Sequence, residues 1–161
     1  MIDEVDKKLI EELHKEGRES YTELAAKLHV VEGTVRKRVK NLIRERIIEI
    51  VAIPNLVKLG YSLMSIIGLQ VRLAELRNVA QRLAKNQHVC YLAFVTGRYD
   101  LMAMVVTRTH KELSDFIEKE ISAIDSISRT ETFVNLDVIK GKSFGIDVSQ
   151  LIANLNISRF K

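Results

Sequence analysis

The spacing of apolar residues divides the chain into two halves with different periods. Over residues 1–46 they recur at three and four: Val5, Leu9, Ile10 and Leu13, then Leu24, Ala25 and Leu28, then Val35, Val39 and Leu42 with Ile43 beside them. That period predicts three short amphipathic helices, each with one stripe to bury. Asp3 can cap the start of the first, and Gly17 follows its end. Ser20, with Glu23 three residues later, opens the second as a capping box. In that motif each side chain satisfies a backbone N–H that the helix leaves free. The third helix begins near Glu32.

From residue 47 the pattern changes. IIEIVAI at 47–53 is β-branched and predicts a strand, ended by Pro54, the one proline. Residues 55–61 read as a linker with Gly60 near its end. Strand, helix, two strands, helix and strand then follow at 64–73, 75–85, 89–96, 101–107, 110–123 and 128–139. The turn between the middle strands is Gly97-Arg98-Tyr99-Asp100. A βαββαβ order predicts a four-stranded antiparallel sheet with both helices on one face, the ferredoxin-like arrangement. The division expected is a helical domain at 1–52, a hinge at 53–62, an α+β sheet domain at 63–140 and a C-terminal extension at 141–161. In the extension, Asp147 can cap a short helix over VSQLIANL.

The middle strands, YLAFV at 91–95 and LMAMVV at 101–106, are apolar on both parities. A strand with one wet face alternates, so both faces of this sheet should be covered. The two helices cover one. A second copy of the sheet is the simplest cover for the other and predicts a symmetric dimer. Cover from the C-terminal tail, or displaced strand ends, are the alternatives.

Charge sharpens the first half. The net charge is a modest +4, but it is unevenly placed. Between residues 34 and 46 there are six basic residues and one acid, Glu45, whereas acids outnumber bases before Thr34. Positive charge gathered on one helix is what a phosphate-facing element needs. The local geometry suits a helix-turn-helix. Ala25 is small where two helices must touch, Val30 can plug the turn, and Val35 anchors the second helix ten residues after Ala25. Thr34, Arg36, Lys37, Arg38, Lys40 and Arg44 are then candidates for DNA contact. Thr34, Lys37 and Arg38 are spaced to share a face. Arginine can pair with guanine O6 and N7, while lysine and threonine more often hold phosphate. The plainer alternative is a solvated basic face on a helical hairpin.

Other chemistry is sparse. One cysteine, Cys90, excludes an internal disulfide framework. His14, His29, His88 and His110 have no metal-ligand spacing with it, so no metal and no cofactor is expected. No run has the length of a membrane span and the acidic N-terminus lacks a signal pattern, which points to the cytoplasm.

The run IDEVDKKLIEELHKEGRESYTELAAKLHV, then TVRKRVKNL, RIIEI and LVKLGYS, with TGRYDLM further on, resembles the leucine-responsive (Lrp/AsnC, feast/famine) family of regulators over residues 2 to about 139. The resemblance implies an N-terminal winged helix-turn-helix, a hinge strand and a C-terminal regulatory (RAM) domain. It further implies homodimers, with a tetramer or octamer as the higher assembly, that bind double-stranded promoter DNA and sense amino acids between dimers. By motif, Gly97, Arg98, Tyr99 and Asp100 match the loop, and Thr130 and Thr132 match the polar positions opening the last strand. Asp100 could pair with an α-ammonium, and the N–H groups near Gly97 or the threonine hydroxyls could hold an α-carboxylate. Alternatively, glycine and aspartate serve the turn alone.

The chain departs from the family at the turn. Val31 stands where a serine cap is usual, with Glu32 as an acidic substitute near the helix start. His29 and Arg46 stand where glycine is usual, and a left-handed conformation there costs about 1 kcal/mol each. Gly33 weakens the first turn of the recognition helix or lets its backbone approach DNA. The rival function is a haem-pathway decarboxylase, which shares the two-domain outline without binding DNA. It needs its basic residues around a cavity, whereas here they gather on the recognition helix. A metabolite sensor with a vestigial DNA domain is a third possibility.

Overall fold

A computed structural model describes residues 2–139. The described residues form two compact units that divide between residues 52 and 53, and the extension expected to carry a helix after Asp147 lies outside the described residues.

The first unit holds α1 (Glu4–Lys15), α2 (Tyr21–Leu28) and α3 (Glu32–Arg44). Both expected caps form. Asp3 and Asp6 make a reciprocal capping box at the start of α1, and Ser20 and Glu23 make one at the start of α2. The three apolar stripes meet in one core of Leu9, Leu13, Leu24, Ala25, Val35 and Val39, with Val30 packed against it. Burying each large aliphatic side chain here stabilises the unit by about 2 kcal/mol relative to exposure. The turn closes as the small and plugging residues require, with the Val30 N–H donating to the Ala25 carbonyl at 3.0 Å.

The departures from family pattern have structural consequences. His29 and Arg46 both lie in the left-handed region, each with φ of 55°. Val31 provides no side-chain cap to α3. Glu32 instead accepts from the Thr22 hydroxyl at 3.1 Å, tying the start of α3 to α2.

One expectation fails. Residues 47–53 form no strand and therefore neither a wing nor a hinge strand within the chain. After α3 the Ile47 N–H returns to the Leu42 carbonyl at 2.8 Å, and Ile50, Val51 and Ile53 are exposed. Propensity favours a strand, but a strand exists only against a partner, and no other segment among the described residues pairs with this one.

The second unit contains β1 (Leu63–Val71), α4 (Leu76–Leu83), β2 (Val89–Phe94), β3 (Leu101–Thr107), α5 (His110–Phe116) and β4 (Ile127–Val134). The sheet is antiparallel in the order β2-β3-β1-β4. Ile67, Leu69, Val71, Leu101, Ala103 and Val105 point to one face and pack on Val79 and Leu83 of α4 and Leu113 and Phe116 of α5. Both helices thus cover one face, as the element order requires. Helix α5 ends early, and the chain widens into a π-turn over Ile117–Ile121.

The opposite face is covered in part by the chain's own linker, a segment not among the covers the strand pattern suggested. Leu56, Leu59 and Tyr61 of the linker pack on Met64, Cys90, Met104 and Val106. The guanidinium of Arg108 lies 4.7 Å from the Tyr61 ring centroid. Beyond that cover, Tyr91 and Phe133 remain 47% and 48% exposed.

Candidate nucleic-acid interface and ligand-domain loop

Helix α3 presents two kinds of surface. Val35, Val39 and Leu42 are buried. Gly33, Arg36, Lys37, Lys40 and Arg44 are exposed, and Thr34, Arg38 and Asn41 are half-buried along one flank. Four of the six sequence candidates therefore form an open stripe, with Thr34 at its border. Among the described residues Lys37 and Lys40 have no ion-pair partner.

The arginines are all paired, but unequally. Arg36 donates to Glu32 at 2.6 Å on the same helix face and stacks 5.4 Å from the Tyr21 ring centroid. Glu32 is held below the usual carboxylate range, first by Arg36 and then by the Thr22 hydroxyl. Arg44 meets Glu45 at 3.1 Å. Both pairs are exposed and screened by solvent, so each is weak and yields readily to a phosphate. Arg38 departs from expectation. Instead of facing outward, its Nη1 donates to Asp3 at 2.7 Å and Asp6 at 2.9 Å. Sequence spacing placed Arg38 correctly on the helix and could not show that α1 brings two carboxylates to it.

The loop after β2 is likewise built differently from expectation. Gly97 has φ of 121°, as its turn requires. The Asp100 carboxylate accepts from the Val71 N–H at 2.8 Å, and the Asp100 N–H donates to the Leu69 carbonyl at 2.9 Å. Asp100 thus fixes the register shift in β1 between Gln70 and Val71. The Tyr99 ring is buried against Gly68, and its hydroxyl donates to Glu131. Arg98 is exposed with Glu131 at 3.9 Å.

The six loop and strand candidates are not gathered into one cluster. Thr130 pairs with Leu69 and Thr132 with Ile67, on the helix-covered face. Glu131 pairs with Gly68, on the face that Tyr99 covers. Sequence reasoning missed Gly68 and Glu131. A glycine inside an apolar strand was the available signal, since it marks close approach of another group.

Comparison with known proteins places the chain. Residues 2–43 match the AsnC-type helix-turn-helix domain, and residues 64–143 match the Lrp/AsnC ligand-binding domain. An HTH-type transcriptional regulator, LrpA, of Pyrococcus horikoshii is 39% identical over 141 residues, spanning 87% of this chain and all of the relative. The chain belongs to the Lrp/AsnC family. An uncharacterised HTH-type transcriptional regulator of Pyrococcus abyssi is 38% identical over 140 residues, 86% of this chain and 89% of that protein. AsnC of E. coli superposes with a TM-score of 0.83 at 27% identity, covering 88% of this chain and 96% of that one. A transcriptional regulator of Neisseria meningitidis, solved as a complex with L-Met, gives a TM-score of 0.83 at 19% identity, over 94% of this chain and 99% of that one.

The protein is accordingly a DNA-binding transcription regulator of the Lrp/AsnC type, with a helix-turn-helix and a ligand-binding domain. The family consists of regulators, not enzymes, and the decarboxylase reading is not favoured. Oligomerisation is a family property. Among the described residues no helix is long and apolar enough to cross a membrane.

Proposed function

We propose that α3 enters the major groove of promoter DNA and presents Arg36, Lys37, Lys40 and Arg44, with Thr34 at the edge of the contact. The open basic stripe carries this reading: four cations on one exposed face, two of them with no carboxylate partner among the described residues. Gly33 extends the stripe, and a Cβ there would meet nothing within 4 Å. Its backbone is free to approach a phosphate. The protein acts in the cytoplasm as a homodimer, whose second copy covers the exposed Tyr91 and Phe133 of the sheet and sets the spacing of two recognition helices. Higher assembly to a tetramer or octamer follows the family habit.

The effector is proposed to be a free amino acid or a related metabolite, supported by the L-Met complex of the Neisseria regulator. One Asp100 oxygen is committed to the Val71 N–H, which leaves the other for an α-ammonium, with the Gly97 backbone N–H or the Thr130 and Thr132 hydroxyls as alternatives for the α-carboxylate.

The decisive experiment for α3 is fluorescence anisotropy on a duplex across a salt series. Each phosphate contact adds about 0.9 to the slope of log affinity against log salt. Lys40→Ala should flatten the slope by about one per copy. A slope unchanged by both Lys37→Ala and Lys40→Ala would remove α3 from the interface. For the effector, a pool of amino acids at millimolar concentration should raise the melting temperature; no shift would end the sensing role.

A further inference from the structure

Arg38 differs from the other arginines of α3 in what holds it. Its partners are 35 and 32 residues away, at the start of α1. Those partners are themselves fixed. The Asp6 N–H donates to Asp3 Oδ1 at 2.9 Å, and the Asp3 N–H donates to Asp6 Oδ2 at 3.2 Å. The other oxygen of each carboxylate, Asp3 Oδ2 and Asp6 Oδ1, accepts from Arg38 Nη1. All four oxygens are thus used, two within the capping box and two across to α3. A capping box ordinarily ends at its two reciprocal bonds. Here one guanidinium nitrogen closes it onto a second helix.

The burial is consistent with a permanent tie. The Arg38 side chain is 29% exposed, with Asp6 at 13% and Asp3 at 51%, against 55% for Arg36 and 70% for Arg44. Withdrawing Arg38 would leave two neighbouring carboxylates, one of them largely buried, without their shared cation, which costs more than parting one exposed pair. Two carboxylates within 3 Å also leave Arg38 little net charge to offer a phosphate.

We propose that Asp3 and Asp6, acting through Arg38, are positioning residues for the recognition helix. They fix its angle and depth against α1, so that Arg36, Lys37 and Lys40 meet a defined set of phosphates and base edges. Arg38 itself makes no contact with DNA. This rests on α3 being the DNA-contacting helix. Because one nitrogen serves both carboxylates, a lysine ammonium can replace the guanidinium in a strut, whereas it cannot reproduce paired bonds to guanine.

The test uses the full chain and two probes: a duplex the wild-type protein selects from a random-sequence pool, and a scrambled duplex of equal length. Arg38→Met, and the double change Asp3→Asn with Asp6→Asn, should each weaken binding to the selected duplex about tenfold, the size typical of coupling between contacting residues. Combining all three changes should cost no more than the worse of the two. For Arg38→Met, affinity for the scrambled duplex and the salt slope should stay unchanged; the double aspartate change should lower the ratio of selected to scrambled affinity; and Arg38→Lys should bind within about threefold of wild type. A merely structural role would lower the melting temperature without reducing the ratio of selected to scrambled affinity at temperatures where the variant is folded. The proposal is overturned if Arg38→Met flattens the salt slope by about one, if the double aspartate change leaves the ratio of selected to scrambled affinity unchanged or raises it, or if the losses add. Should Arg38→Met fail to fold, Arg38→Lys and the aspartate variants decide the matter alone. If Lys37→Ala and Lys40→Ala also leave the slope untouched, the failure belongs to the reading of α3 and not to the strut.

Discussion

Gly68→Ala is the smallest change that should disturb the ligand-binding domain, and its cost can be worked from geometry. Gly68 lies on β1 opposite Met102 and Glu131. A Cβ there would stand 2.6, 2.7 and 2.8 Å from Cδ2, Cγ and Cε2 of Tyr99. Carbon atoms in contact sit about 3.5–4.0 Å apart, so the ring must retreat by roughly 1 Å. It is poorly free to do so. Its hydroxyl is held by Glu131, and Asp100, next in the chain, is bound to Leu69 and Val71. Overpacking of this kind costs about 1–3 kcal/mol. Urea denaturation should show a lower midpoint with an unchanged slope. In a Tyr99→Ala background the same change should be neutral, or should stabilise by about 0.5 kcal/mol, because glycine in a strand interior is unfavourable relative to alanine. An equal cost in both backgrounds, or no cost in the wild type, would refute the claim that Tyr99 occupies the space Gly68 leaves.

Three other outcomes follow from particular residues. His29→Gly should raise stability by about 0.5–1 kcal/mol in the same urea assay, since φ of 55° is costly for histidine and not for glycine, and the exposed His29 side chain loses no contact. Asp100→Asn should destabilise by about 1–2 kcal/mol, because the Val71 N–H exchanges a charged acceptor for a neutral one; an unperturbed variant would return Asp100 to the effector. Lys15 and then Lys27 hold Glu12 down to about 2, so its contribution is fully present above about pH 4.5 and is lost as pH falls toward 2. Glu12→Gln should therefore lower stability at neutral pH and shrink the acid loss in that window, as read by circular dichroism during acid titration.

How much of this was legible in the sequence depends on the range of the interaction. The cap at Asp3, the capping box at Ser20, the αL residues His29 and Arg46 and the bare cap at Val31 are all set within a few residues and are readable, and the succession of elements along the chain is enough to imply the sheet domain. Residues 47–53 were misjudged for the converse reason: strand propensity is local, but pairing is not, and this chain supplies no partner among the described residues. The loop shows the same limit. Its glycine turn is local, whereas the bond from Val71 to Asp100 and the slot at Gly68 join strands 29 and 31 residues away. Alternation along β4 did contain the clue that Thr130 and Thr132 could not share a face with Glu131.

The basic helix shows why a count of charges misleads. Six cations between residues 34 and 46 suggest a uniform phosphate-binding face. The sixth, Arg46, lies beyond α3 in the left-handed turn, and the fold sorts the five on the helix by what opposes each one. Arg36 and Arg44 face single carboxylates at solvent-exposed positions, and such pairs are nearly neutral in free energy, so DNA can displace Glu32 and Glu45. Lys37 and Lys40 have nothing to displace among the described residues. Arg38 has two fixed carboxylates, and no phosphate replaces both at once without leaving them uncompensated. Affinity and its salt dependence should therefore come from four residues on the open stripe, and precision of docking from a fifth that never touches the nucleic acid.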